Sequence, residues 1–383
     1  MAPASSQFDA AIIGGGVIGC TIAWRLSQAG MRVVVIERGE IGQEASWAAG
    51  GMLAPLAEAN RADAFLDLVI RSCAMYGDFA RELREMTGID IAYRTEGTLY
   101  LALSDADEEE LEHRWQWQCE AGLNIKKLNA DDVRNLEPAV TPTLRWALRF
   151  PDDHQVDNRQ LMVAVAAAAK KASATFLLHT EAHDIVSSNS QVSAITTSQG
   201  TVQADTVIFA AGCWSDSLTI NGTRVKNDFL VEPVRGQMIA LEMPEPRMQH
   251  VIYSSNGYLV PRHGGYVIAG STTEKVGYDK RVTASGIASI IDHAIEIAPN
   301  LAAQSVRETW AGLRPKTKDE WPILGTDPGI KGLIYATGHY RNGILLTPLT
   351  GQAISELVTR GESTVNLTPF NVARFDQDLR RSA

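Results

Sequence analysis

The sequence has no excess of positive charge, no long apolar run and few cysteines. Each shortage removes a class of function. Its 35 Lys and Arg against 45 Asp and Glu leave a formal net charge of −10. A protein that binds phosphate backbones needs a basic face, so no nucleic-acid partner is expected. No apolar span reaches the roughly 18 residues that a membrane helix requires, and no basic amphipathic stretch suggests docking to a lipid surface. The four cysteines, Cys20, Cys73, Cys119 and Cys213, show no CxxC spacing. Neither a zinc knuckle nor a disulfide framework is therefore indicated. His179 and His183 lie four apart, but no HExxH or second ligand cluster accompanies them, and no metal site is expected. The amino-terminal stretch lacks the basic segment of a signal peptide. The expectation is a cytoplasmic protein that does not enter a membrane.

What is present is a 383-residue chain with 45% hydrophobic and 21% charged residues, enough for a large core and two domains. It opens with the strand "DAAIIG", a glycine-rich turn, a helix from about Val17 to Ala29 and a second strand, "RVVVIE", which together begin a βαβ unit. Residues 61–87 read as one long helix, with Phe65, Leu68, Val69, Ser72, Tyr76, Phe79, Ala80 and Leu83 near a 3.6-residue period. From about 225 to 314, short strands separated by turns and one helix near 284–298 predict a mostly antiparallel sheet. The βα style returns at the end. The expected fold is a Rossmann-like α/β domain with an inserted α+β substrate domain. Segments 1–88, 152–222 and 320–383 would form the first, and 89–151 and 223–319 the second.

The fingerprint "GGGVIG" supplies Gly14, Gly16 and Gly19 in G-x-G-x-x-G, directly after an apolar strand and at the start of a helix. Glycines there permit a tight turn and close approach of a pyrophosphate to backbone N–H groups. Glu37 ends the second strand, where an acid accepts bonds from ribose hydroxyls and disfavours a 2′-phosphate. Two further stretches favour FAD over NAD. The small residues of "EASWAAGGML", including Ala48, Ala49, Gly50 and Gly51, let backbone lie against a flat ring. The loop "GHYRNGILLTP" leads into a helix whose N-terminal dipole would stabilise the negative charge of a reduced flavin.

With these pieces assembled, the chain resembles the FAD-dependent D-amino acid oxidase family, and within it the glycine oxidases of thiamine biosynthesis. The carrying motifs are "GGGVIG", "SWAAGGML", "VIFAAGCWS", "GYLVPR", "WAGLRPKTKDEWPILG" and "GHYRNGILLTP". The resemblance implies FAD held without a covalent bond, since Pro315 stands where related sarcosine oxidases carry a flavin-linked cysteine. It also implies oxidation of a small amino acid to an imine, reoxidation by O2 with release of H2O2, and a homotetramer.

Carried over motif by motif, Val17, Ile18, Glu37, Arg38, Ala45, Ser46, Gly50, Gly51 and Met52 would touch FAD, with Ala182 at the adenine. His339, Tyr340, Arg341, Asn342, Gly343, Ile344 and Leu345 would wrap the pyrimidine end of the ring. Arg314 would grip the substrate carboxylate and Tyr258 would line the pocket. Met52 and Thr273 would shape the substrate wall; some glycine oxidases carry methionine where Thr273 stands.

On residue pattern alone, Arg314 is equally suited to a domain-bridging ion pair with Asp319 or Glu320. Arg341 suits either the substrate carboxylate or the flavin C2 carbonyl. The expected activity is glycine oxidation, extending to sarcosine or D-alanine. The alternatives are a D-amino acid dehydrogenase using an acceptor other than oxygen, and a sarcosine or proline oxidase of the same fold.

Overall fold

The computed structural model describes residues 7–224 and 231–375. The outer ends of the expected domains, residues 1–6 and 376–383, and the segment 225–230 lie outside the described residues. The strand Phe8–Ile13 runs parallel to Val33–Ile36 on one side and to Gly200–Phe209 on the other. Register is set by pairs such as Ala11 with Val34 and Ile13 with Phe209. All four residues of Val33–Ile36 are buried, as a strand covered on both faces of a parallel sheet requires. Thr175–Leu177 extends the sheet beyond Val33–Ile36, and Leu333–Thr337 joins parallel to Gly200–Phe209. An antiparallel extension, Ala182–Ser188 with Gln191–Thr197, completes this side. Thr223–Arg224 pairs with Thr219–Ile220 in the same sheet, which therefore runs past residue 222.

The helices Val17–Gln28, Asn158–Lys171 and Thr347–Arg360 pack together beside this sheet. Asn158–Lys171 begins under the Asp157 side chain, which accepts from Arg159 N and Gln160 N. The predicted long helix over 61–87 is two helices, Ala64–Ala74 and Tyr76–Thr87. Asp63 caps the first by accepting from Phe65 N and Leu66 N, so it starts three residues later than the periodicity suggests. At Met75 the backbone N–H turns back to Ser72 O and Cys73 O, which tightens the helix and bends the apolar stripe.

The second sheet has eight strands in the order Val306–Lys316, Glu232–Glu242, Tyr266–Gly270, Tyr258–Arg262, Val251–Tyr253, Thr98–Ala102, Trp146–Phe150 and Lys126–Asn129. All neighbours are antiparallel except Val251–Tyr253 with Thr98–Ala102. The helix Ala284–Ile297 covers one face through Ile290, Ala294 and Ile297. A short ladder, Met52–Leu53 against His154–Gln155, forms a third pairing in the chain. The two sheets meet where the end of Val306–Lys316 reaches the loop after Leu333–Thr337. Tyr340 N donates to Pro315 O at 2.9 Å, beside a bridge between Lys316 and His339.

Trp24 is fully buried, with its ring centroid 5.7 Å from that of Phe79. The adjacent Arg25 makes a two-pronged pair with Glu82 at 2.6 and 2.7 Å. Together they lock the fingerprint helix onto Tyr76–Thr87. Trp24→Ala is expected to cost about 3–5 kcal/mol, the range for truncating a buried Trp, read as a lower urea midpoint. A midpoint unchanged from wild type would show that this contact does not hold the helix.

Candidate active site

A long cleft runs along the ends of the parallel strands and under the second sheet, the position where open α/β sheets bind their ligands. At its inner end the fingerprint glycines are fixed by contacts rather than by flexibility. Gly14 has φ +111°, and a Cβ there would lie 2.5 Å from Ala210 O. The Cβ of a residue at position 19 would lie 2.0 Å from Gly14 O. Val17 N donates to Ser46 Oγ at 3.0 Å, which ties the helix start to the segment around Ala48. Glu37 accepts from Gly15 N at 2.7 Å and Gly39 N at 2.8 Å, one bond to each oxygen. Its carboxylate is thus oriented by backbone, and each oxygen keeps a lone pair for a hydroxyl. Arg38 lies 3.6 Å over the Trp214 ring and pairs with Glu44 at 3.1 Å.

Midway along the cleft, Ala48 and Gly50 face the strands Val306–Lys316 and Glu232–Glu242. A Cβ at Gly312 would come within 2.4 Å of Ala48 Cβ, so the two segments pack with no side chain between them. Gly51, at φ +74°, places its backbone against Val156, whose N donates to Gly51 O at 2.9 Å. Buried Arg262 donates to Gly50 O at 2.5 Å. Cys213 also lines the cleft, but its thiol donates to Leu313 O at 3.1 Å and burial pushes its pKa up.

The outer end is built by the loop 338–346. Ser72 Oγ donates to Leu345 O at 2.7 Å, and the Tyr76 hydroxyl donates to Ile344 O. With these carbonyls held from behind, the N–H groups of Gly343, Ile344 and Leu345 meet no acceptor among the described residues. Ile344 and Leu345 are buried, and unpaired buried N–H groups are rare and costly. They suit a ring bearing carbonyl and nitrogen acceptors. His339 is buried with Nε2 3.2 Å from Thr350 Oγ1, and burial pulls its pKa down to about 3, so the imidazole is neutral.

Two arginines project into this end. Arg314 Nη1 donates to Thr272 O at 3.1 Å, and Nη2 donates to Ser271 Oγ at 2.6 Å. Asp319 pairs instead with Arg374 and Glu320 with Lys316. Among the described residues Arg314 has no carboxylate partner, and burial pulls its pKa below the ordinary arginine value. Gly236 lies beneath it, where a Cβ would sit 2.3 Å from the guanidinium. Arg341, by contrast, has an anion. Its Nε and Nη2 meet Glu58 Oε2 and Oε1 at 3.1 and 2.9 Å. The Tyr253 hydroxyl also donates to Glu58 Oε1 at 2.9 Å. Burial works against the charge on Glu58, but Arg341 and Tyr253 outweigh it and keep its pKa below the ordinary value.

The cleft brings together most of the residues singled out in the sequence. Gly14, Gly16, Val17, Ile18, Glu37, Arg38, Ala45, Ser46, Gly50, Met52, Ala182, Tyr258, Arg314, His339, Tyr340, Arg341, Gly343 and Ile344 line it. Gly19, Gly51 and Leu345 stand behind the lining, while Thr273 and Asn342 face an adjoining cavity. Glu58, Tyr253, Met238, Gly236 and Ser271 carry no motif in the sequence and enter the site only through the fold. The bend that brings Glu58 into the cleft is held by buried Asp153, which accepts from Leu56 N and Ala57 N at 3.0 and 3.1 Å. Arg114 supports the same bend by donating to Ala57 O and Ala59 O at 2.8 and 2.6 Å.

A glycine-turn cleft at the ends of parallel strands, closed over by an antiparallel sheet carrying an arginine, defines a dinucleotide-binding oxidoreductase. The model of the FAD dependent oxidoreductase family matches residues 9–357, and the chain belongs to that family. It is 36% identical to the glycine oxidase of Geobacillus kaustophilus over 370 residues, covering 96% of this chain and 97% of that one. It is also 36% identical over 374 residues to the bifunctional protein ThiO/ThiG of a Synechocystis species, spanning 54% of that longer protein. The crystal structure of the Geobacillus kaustophilus glycine oxidase superposes with a TM-score of 0.91 at 35% identity, covering 96% of this chain and 99% of that one.

Burial pushes the pKa of Asp153 up to about 8, against the pull of its two N–H donors. An unfolded Asp titrates near 3.9, so the folded chain holds an extra proton between about pH 4 and pH 8. Stability should therefore fall as pH rises through that window, by at most about 1.4 kcal/mol per unit from this group. Urea unfolding from pH 5 to 8 should show a shallower decline in Asp153→Asn than in wild type. Equal slopes would contradict this assignment.

Proposed function

We propose that the chain is an amino-acid oxidase that converts glycine, O2 and water to glyoxylate, ammonia and H2O2, and that it accepts other small amines such as sarcosine. The observation that carries this reading is Arg314, a guanidinium in the cleft held by two neutral oxygens and, among the described residues, by no carboxylate. A planar guanidinium binds a carboxylate through two parallel bonds, fixing position and orientation together. Bound FAD would supply the chemistry by accepting a hydride from the substrate Cα and returning the electrons to O2.

The chain's own work is placement. Arg314 would fix the carboxylate, and the apolar faces of Met52, Met238 and Tyr258 would exclude water around the rest of the substrate. Exclusion of water favours the neutral amine over the ammonium, so no side-chain base is required. The fingerprint loop, Glu37 and Arg38 would hold the adenosine half of FAD. The N–H groups of Gly343, Ile344 and Leu345 would meet the pyrimidine end of the ring. Pro315 and the occupied, protonated Cys213 thiol support FAD held without a covalent bond. The two sheets support a division into cofactor and substrate domains, with Thr223–Arg224 on the cofactor side.

Arg314→Lys removes the planar two-point grip and is expected to cost about 1.5–3 kcal/mol of substrate stabilisation. In steady-state kinetics this is roughly a ten- to hundredfold loss in kcat/KM for glycine at unchanged flavin content. Wild-type kinetics in a fully FAD-loaded variant would refute the role given to Arg314.

A further inference from the structure

Glu58 has no part in the reading above, yet it stands at the centre of the site. It lines both the main cleft and the adjoining outer cavity, together with Tyr258, Tyr340 and Arg341. Both oxygens of its side chain are held. Arg341 takes both oxygens, Tyr253 donates to one, and the bend behind it is fixed by Asp153 and Arg114. A carboxylate fixed in this way cannot swing aside for an incoming group without breaking several bonds.

The charges around this point are few. In the outer cavity Arg61 pairs with Asp63, Asp319 with Arg374, Glu320 with Lys316, and Arg114 with Glu110. Among the described residues, Arg341 and Glu58 remain at the junction of the two cavities, with Arg314 beside them in the main cleft. Glu58 cancels Arg341, so the protein presents one net positive charge, that of Arg314. One substrate carboxylate neutralises it. A second acidic group on the same molecule would reach toward the outer cavity, the direction open to a longer substrate. There it would meet the Glu58 carboxylate, with the Nε and Nη2 edge of Arg341 already taken. Like charges brought together away from bulk water repel strongly.

We propose that Glu58 is a specificity-determining residue that restricts the site to amino acids with a single carboxylate, rejecting substrates that carry a second anionic group. This rests on the reading of Arg314 as the carboxylate anchor. Neutralising Glu58 would free Arg341 as a second anion site, and dicarboxylic amines such as N-carboxymethylglycine would then be accepted.

The test uses the flavin-loaded enzyme and two unreactive probes, acetate and malonate, with binding read from the perturbed flavin absorbance. Wild type should bind acetate at least about tenfold more tightly than malonate. Glu58→Gln should move the malonate-to-acetate affinity ratio at least about tenfold toward malonate, while Glu58→Asp keeps the wild-type preference. Arg341→Gln, which leaves Glu58 uncompensated, should move the ratio the other way. In turnover, the kcat/KM ratio of N-carboxymethylglycine to glycine should rise in Glu58→Gln, mainly through KM. An unchanged ratio in Glu58→Gln, or an Asp variant that behaves like the Gln variant, overturns the proposal. A wild-type enzyme that binds neither acid refutes the carboxylate site itself, which separates that failure from the failure of the charge filter.

Discussion

Two neutral oxygens, Thr272 O and Ser271 Oγ, hold the guanidinium of Arg314 over the bare backbone of Gly236. Much of the structure serves that placement. An arginine inside a protein is ordinarily matched by an acid, because an unmatched buried charge is costly. Here the nearby acids are diverted. Asp319 goes to Arg374 and Glu320 to Lys316, while Glu58 goes to Arg341. Hydrogen bonds to neutral acceptors orient the guanidinium without cancelling its charge. A carboxylate brought to this guanidinium would gain both the geometry and the electrostatics that the protein withholds.

The same junction explains how cofactor and substrate residues are brought together. Tyr340 N to Pro315 O stitches the loop 338–346 onto the strand that carries Arg314. Tyr76 and Ser72, from the consecutive helices Tyr76–Thr87 and Ala64–Ala74, anchor the loop from the other side. The loop's carbonyls at Ile344 and Leu345 are thus taken, while the N–H groups of Gly343, Ile344 and Leu345 meet no acceptor among the described residues. The bend that carries Glu58 is held by Asp153 and Arg114, the latter from the helix Asp105–Glu120 that belongs with the second sheet. Both walls of the site are thus fixed by contacts between segments remote in sequence.

How much of this was legible in the sequence follows from that remoteness. The fingerprint could be read because strand, turn and helix are contiguous, and Gly14, Gly16 and Gly19 report a local backbone requirement. Arg314 stands in "WAGLRPKTKDEWPILG", one of the stretches that carry the resemblance, although pattern alone leaves a domain-bridging ion pair open. Glu58 lay in "APLAEANRAD", which has no periodicity or motif, and its partner Arg341 is 283 residues away. No local rule connects them. By pattern Arg341 suits either a substrate carboxylate or the flavin C2 carbonyl, and no sequence signal shows that its Nε and Nη2 meet Glu58. Gly236 carries no signal of its own in the sequence, and only the guanidinium stacked above it gives the reason for it. The single helix read over 61–87 failed at Met75, because a continuous apolar stripe does not reveal a bend between two helices.

The central claim is that this cleft binds a small amino acid by its carboxylate against bound FAD and passes the electrons to oxygen. An absorbance scan of the purified protein tests it most directly. The flavin bands would be recorded without oxygen, again after adding glycine, and again after admitting air. The account predicts bleaching with glycine, followed by recovery of the bands and formation of peroxide in air. Bands that persist with glycine would contradict the substrate. Bleaching that does not reverse in air would contradict the oxidase and indicate a dehydrogenase with another acceptor.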